Sequence, residues 1–340
     1  MALAGGIAAP PEVLALGCIT GLGYALVAVG LILTFRASGV VNLAHGQIGA
    51  LAAAVLAVMV QLWHVPYWLA FAGAGLIGCL LGAVVELCVV RRLRSTPALL
   101  SLVATLGVAQ VLLFASAAIA AELPAAELFP QPPGLPSTEL GALTVTPAYW
   151  ATVIVAVSAI AGLVAMLRMT SLGVALRATW ANEEGARLLG LPGRRLTALT
   201  WGVAGALSAL TAALSLPAGG SPDLPALGPA LLVRALAVAV IARLRSLPVA
   251  LAAGIAVGVM EQLCLWNSAD PRLSDAVLLA AIVVVLLVRP RVEEGGQSHG
   301  SWAAIPRWPG LPARVRASTS VRWASRLPVA AAVVGAALAP

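Results

Sequence analysis

One polar interruption holds most of the residues in this chain that could do chemistry. The run Thr34-Phe35-Arg36-Ala37-Ser38-Gly39-Val40-Val41-Asn42-Leu43-Ala44-His45-Gly46-Gln47 brings a guanidinium, hydroxyls, two amides and an imidazole into a sequence that is apolar on both sides. Polar groups at membrane depth cost on the order of 1 to several kcal/mol each without partners, so they rarely sit there idly. Asn42, His45 and Gln47 offer donors and acceptors to a polar solute. Gly39 and Gly46 let the backbone leave the helix or pack tightly, which lipid does not tolerate but a protein interior or a watery cavity does. The stretch reads as the floor or wall of a solute pathway. On a continuous helix Asn42 and His45, three apart, would share one face. The competing role for each is a hydrogen bond between helices that only holds a bundle together, worth about 0.6–2 kcal/mol per contact. Arg36 is expected to snorkel to a membrane surface rather than bind a ligand.

Other chemistry is thinly represented. The chain has 20 basic residues, all Arg, so a phosphate-binding loop of the form GxxxxGK[ST] cannot exist here and any ATP must be bound by another chain. Cys18, Cys79, Cys88 and Cys264 fall in apolar runs without CxxC spacing and read as buried, inert thiols; no metal site is expected. His45 without a paired nucleophile or an HExxH pattern argues against an enzyme. Glu86 and Glu261 lie near the ends of apolar runs, as interface charges or, less simply, as proton relays with His45. Arg234 either pairs with Glu261 or lines the path.

These residues need elements that hold them in a bilayer. Apolar residues make up 61% of the chain and charged residues 10%, with a mean hydropathy of +1.01. A soluble domain has about 25% charged residues, so this is an integral membrane protein, and its runs are long enough for helices rather than barrel strands. Spans are expected near 13–35, 40–62, 66–90, 98–121, 148–167, 197–216, 227–242, 247–266 and 275–288. The fold class is all-α, a polytopic transmembrane bundle of about eight or nine spans. The seventh run is short and suits a tilted or partial helix. Arginines cluster in alternate loops: Arg91, Arg92 and Arg94; Arg168, Arg177, Arg187, Arg194 and Arg195; Arg243 and Arg245; Arg289 and Arg291. The intervening loops are acidic, so the arginine loops face the cytoplasm and the amino terminus lies outside. Topology thus explains the net charge of +7 without nucleic acid. The Pro-rich loop 122–147 is expected to be irregular and external. Residues 1–291 are expected to form the transmembrane domain and 292–327 a cytoplasmic linker. Residues 328–340 are expected to begin a possible second membrane domain.

One cytoplasmic segment has strong helix punctuation. Asn182 is a capping residue, Glu183 and Glu184 sit at the positive end of a helix dipole, and Arg187 lies in the last turn. Gly190 supplies a left-handed stop before Pro192. A helix over 183–189 is too short to be stable alone in water and must pack against something. That is either its own bundle or the groove of a cytoplasmic motor, with Gly185 and Ala186 permitting close approach and Leu188 and Leu189 giving apolar contact.

Val40-Val41-Asn42-Leu43-Ala44-His45-Gly46 resembles the G-[VIL]-[VIL]-N-[FL]-A-H-G signature of permeases in branched-chain amino-acid ABC importers. Gly21-Leu22-Gly23-Tyr24-Ala25-Leu26 looks like part of that family's first helix. Arg177-Ala178 with Asn182 and Ala186-Arg187-Leu188-Leu189-Gly190 resembles its cytoplasmic loop, and Ser246-Leu247-Pro248 and Leu287-Val288-Arg289-Pro290 its late elements. The chain departs from the family at Ile241-Ala242-Arg243-Leu244-Arg245, where small residues and glycines are usual, and at Gln47. The resemblance covers about residues 12–291. It implies an inner-membrane permease with no covalent chemistry and no cofactor of its own. Its implied partners are cytoplasmic ATP-binding-cassette ATPases that hydrolyse ATP, a second permease domain, separate or fused, and an extracytoplasmic solute-binding protein. The 182–190 segment would then be the ATPase-coupling helix. Urea or short amides are alternative solutes within the family, and a proton-coupled secondary transporter using His45 is the alternative outside it.

Overall fold

The computed structural model describes residues 9–93, 96–123, 129–141, 143–219, 224–268 and 271–288. The expected linker 292–327 and the segment 328–340 lie outside the described residues.

The nine expected spans are found as apolar helices: α1 (Pro11–Ser38), α2 (His45–Gln61), α3 (Tyr67–Cys88), α4 (Ala98–Ala121), α5 (Pro147–Met169), α8 (Gly193–Gly219), α9 (Leu224–Ile241), α10 (Leu247–Ser268) and α11 (Pro271–Val288). Two polar-loop helices, α6 (Ser171–Ala181) and α7 (Glu183–Leu188), separate α5 from α8. Six helices are long and apolar enough to cross a membrane, and α2, α9 and α11 contribute shorter apolar stretches. Prolines start several of them where a missing N–H costs nothing: Pro66 and Pro97 at N-caps, Pro147 in the first turn of α5.

Burial sorts the helices. Most of α1 and α8 is buried, and with the first half of α2 they form the centre. Helices α3, α4, α5 and α11 carry exposed Leu76, Leu80, Val103, Phe114, Ile154, Val157 and Val284, the apolar outer surface that lipid solvates. Trp63, Trp68, Trp150 and Trp266 are exposed near helix ends, as an aromatic belt requires.

Without a hydrophobic drive between helices in lipid, packing depends on close backbone approach. Helices α1 and α10 pack through reciprocal small-residue spacings, Gly17 and Gly21 against Gly254 and Gly258. A Cβ at Gly21 would lie 2.6 Å from the Ile255 Cα, and one at Gly254 would lie 2.7 Å from the Ala25 Cβ. Helices α3 and α8 meet in the same way, with Gly78 and Gly82 against Gly205 and Trp201.

Two expectations are corrected here. The loop 122–147 is not irregular throughout: Thr138–Leu140 (β1) pairs antiparallel with Leu143–Val145 (β2). β-branched Thr138, Thr144 and Val145 favour the extended backbone, and the turn at Gly141 takes a positive φ of 60°. The cysteines are free, but Cys18 and Cys88 are exposed rather than buried, because each lies on an outward helix face.

Candidate functional site

Helix α1 runs unbroken to Ser38. Gly39 ends it in the left-handed conformation (φ 71°), with its N–H bonded to the Phe35 carbonyl at 2.8 Å. The chain then turns back. His45, the first residue of α2, brings Nε2 to 3.0 Å from the carbonyl oxygen of Val27, on α1. Val27 lies eleven residues before Ser38, on the order of 16 Å along the helix axis. The segment 39–44 is therefore non-helical backbone that runs from the exposed Gly39 back into the bundle, where Asn42 and Ala44 are buried, the setting a bilayer demands of irregular backbone at depth.

The structure places the expected site residues at this re-entrant start. Asn42 is buried but does not lie on α2: its Oδ1 accepts from the Ala44 N–H at 3.0 Å, so it shares no helix face with His45. Asn side chains compete with backbone helix bonding in this way, and the left-handed Gly39 has already broken the helix. His45 is fully buried. Bonding to a carbonyl puts its proton on Nε2 and leaves Nδ1 without a partner. Gly46 abuts the Gly228 carbonyl of α9 with no room for a Cβ, and the buried Gln47 covers the same glycine, its Oε1 unpartnered. Gly39 is exposed with nothing near its Cβ position.

Three further residues hold this start and were not singled out in the sequence. Ser208 of α8 donates to the His45 carbonyl at 2.7 Å, and the Leu43 N–H donates to the Thr105 hydroxyl of α4 at 3.4 Å. Gly30 of α1 makes space for the imidazole: a Cβ there would stand 2.8 Å from Nε2. Hydroxyls and glycines are common in apolar helices, so the sequence offers no signal separating these from their neighbours.

The two buried glutamates are each paired with an arginine. Glu86 is buried and accepts from Arg91, Nη2 to Oε2 at 2.9 Å, while the same Nη2 reaches the Arg194 carbonyl at 2.9 Å. This ties the carboxyl end of α3 to the start of α8. Arg234 pairs with Glu261, the first of its two expected roles, with Nε 2.9 Å from Oε1. Neither Glu86 nor Glu261 bonds to His45. Arg36 lies with Cζ 4.8 Å from the centroid of the Trp180 ring, a cation–π contact fastening the end of α1 to α6.

The segment 170–191 is built as its punctuation indicates. Thr170 caps α6 by accepting from the Gly173 N–H at 3.0 Å. Asn182 caps α7, which opens at Glu183, accepting from the Gly185 N–H at 2.9 Å. At its other end Gly190 (φ 78°) donates to the Arg187 carbonyl at 2.9 Å and Leu191 to the Ala186 carbonyl at 3.0 Å, which closes the helix. Ala186 faces inward and is buried. Glu184 and Arg187 are exposed, and Leu188 and Leu189 are 86% and 81% exposed. An apolar cavity of about 110 Å³ behind α6 is lined by Leu33, Met166, Leu176 and Trp180.

Comparison with known proteins agrees with this architecture. Residues 13–286 match the family model described as branched-chain amino acid transport system / permease component. The chain is 27% identical over 286 residues to the high-affinity branched-chain amino acid transport system permease protein LivH of Salmonella typhimurium, covering 81% of this chain and 92% of the relative. It is 27% identical over 290 residues to BraD of Pseudomonas aeruginosa, with the same coverage, and 26% identical over 286 residues to LivH of Escherichia coli. No solved structure matches significantly.

Proposed function

The chain belongs to the family of branched-chain amino acid transport permease components, and from that premise we propose that it forms one half of the membrane path of an ATP-binding-cassette importer. It is a multi-pass permease of the bacterial cytoplasmic membrane, not an enzyme. Its solutes are branched-chain or related amino acids, received from an extracytoplasmic solute-binding protein. A second permease domain completes the path. Two cytoplasmic ATPases bind and hydrolyse the ATP, and this chain holds no cofactor.

The observation that most supports this reading is α7. It is a capped helix of six residues on the arginine-rich side of the bundle, with two leucines turned out to solvent. Isolated, such a helix is unstable, and exposed adjacent leucines are costly unless a partner covers them. Asn182 through Gly190 form the coupling element. ATP-driven closure of the ATPases pushes on it and swings the bundle between outward and inward states.

We place Asn42, His45 and Gln47 on the solute path, with Gly39 and Gly46 allowing the backbone to turn there. The unpartnered, buried His45 Nδ1 and Gln47 Oε1 support this, because polar atoms so buried ordinarily have partners.

The test is retention. The permease carrying Leu188→Ser and Leu189→Ser is purified with its neighbouring ATPases. The reading expects a folded permease of unchanged thermal stability that no longer retains them; retention equal to the unaltered chain would remove α7 from the interface.

A further inference from the structure

A second polar cluster lies within the bundle, away from the re-entrant turn. Arg234 projects from α9, Glu261 from α10 and Asp275 from α11, and the Tyr24 ring of α1 lies 5.8 Å from the guanidinium. Helix α9 links the two polar regions: Gly228 underlies Gln47, and Arg234 follows six residues later, about 9 Å along the axis.

The bonding is lopsided. Arg234 sends Nε and Nη2 to one oxygen of Glu261, Oε1, at 2.9 and 2.5 Å. A paired fork would use both oxygens. Its Nη1 donates to the Ala230 carbonyl at 3.2 Å, and Nη2 also reaches Asp275 Oδ1 at 3.4 Å. The guanidinium is thus committed on all three nitrogens, whereas Glu261 Oε2 is buried without a hydrogen bond of ordinary geometry, although the Tyr24 hydroxyl interacts with the same carboxyl group. Glu261 is only 7% exposed. Two carboxyl groups face one cation, and the spare capacity is an acceptor. Such a site takes a donor, and a cationic donor best, because a buried carboxylate in surplus favours positive charge.

The Asp275 side chain is 63% exposed and lies in the first turns of α11, at the end of the bundle that the arginine pattern assigns to the outside.

We propose that Glu261 Oε2, with Asp275 at its mouth and Arg234 holding both, is a subsite for the ammonium group of an α-amino-acid solute arriving from the external face. This rests on the importer reading above. It narrows the solute to molecules bearing an ammonium group and sets urea and simple amides apart. Arg234 is a positioning residue that holds Glu261 through Oε1 and leaves Oε2 unbonded.

The experiment is ATP-dependent uptake of labelled leucine, and separately of labelled urea, by the complete importer in proteoliposomes. The solute-binding protein is the same in every arm, so a difference between variants belongs to the permease. Glu261→Gln is expected to reduce leucine uptake at subsaturating concentration at least roughly tenfold, the loss of one hydrogen bond to a charged group. Asp275→Asn, at an exposed position, is expected to fold normally and reduce uptake severalfold. If Glu261→Gln fails to assemble, the exchange Arg234→Glu with Glu261→Arg decides: restored assembly without restored uptake supports the subsite, and restoration of both reduces the cluster to a clamp. Undiminished leucine uptake by Glu261→Gln overturns the subsite and leaves the importer standing. So does an unaltered importer that moves urea but not leucine. No ATP-dependent uptake of either solute overturns the importer reading and the subsite with it.

Discussion

Arg243 stops α9 in the left-handed region (φ 56°), and Leu244 follows it there (φ 54°). The Arg243 N–H bonds the Val240 carbonyl at 3.0 Å and the Leu244 N–H the Ala239 carbonyl at 2.8 Å, a closure that ordinarily uses glycine. A side chain in that conformation costs about 1–2 kcal/mol. Arg243 is exposed, so Arg243→Gly should stabilise the permease by about 1 kcal/mol, read as a higher Tm in thermal denaturation; a lower Tm would mean that its side chain makes contacts worth more than the strain. At Gly46 the direction reverses. Gly46→Val drives a side chain into the Gly228 carbonyl and should abolish recovery of monodisperse protein, whereas the same change at the open Gly39 site meets only backbone strain. The sequence shows His45 and Gln47 because they are polar among apolar residues. It does not show Ser208, which meets His45 across 163 positions, because one hydroxyl in an apolar helix looks like any other.

Helix spans were legible because most of the apolar runs are long and several are punctuated by Pro or Arg, as at Pro66, Arg91, Pro97, Pro147 and Arg168. The start of α2 was not: the run 40–62 contains nothing apolar periodicity can use to separate the non-helical 40–44 from the helix, and the break depends on Gly39 and on the Asn42 bond to Ala44. The α1–α10 seam was readable in principle, since Gly17 and Gly21 are four apart, as are Gly254 and Gly258, but spacing alone does not say which helix answers which. Leu in place of Gly21 or Gly254 should separate these helices and destabilise the bundle by about 1–3 kcal/mol or more, measured as a lower Tm or as aggregation on gel filtration. Helix α7 behaves differently, because its punctuation is local. Asn182→Ala removes one cap and should cost α7 about 1 kcal/mol, raising amide hydrogen exchange at residues 183–189 while exchange in α1 and α8 stays unchanged.

Across the molecule, alternation organises everything else. Among the described residues, the alternation of nine apolar helices puts the connections after α3, α5 and α9 at one end of the bundle, and these carry Arg91, Arg92, Arg177, Arg187, Arg243 and Arg245. That end also holds α7 with its outward leucines, while the exposed Asp275 opens at the other. The two polar regions, the turn at 39–47 and the Arg234–Glu261 pair, lie between them, joined by the short α9. The importer proposed above would take its solute at the Asp275 end and seat its motor at the α7 end. The central claim is that ATP hydrolysis by partner chains, and not a proton gradient, drives transport through this bundle. Uptake of labelled leucine into proteoliposomes holding the permease, its ATPases and its binding protein tests it most directly, with ATP and a proton uncoupler varied independently. The account predicts uptake that needs ATP and survives the uncoupler; uptake indifferent to ATP and abolished by the uncoupler would contradict it.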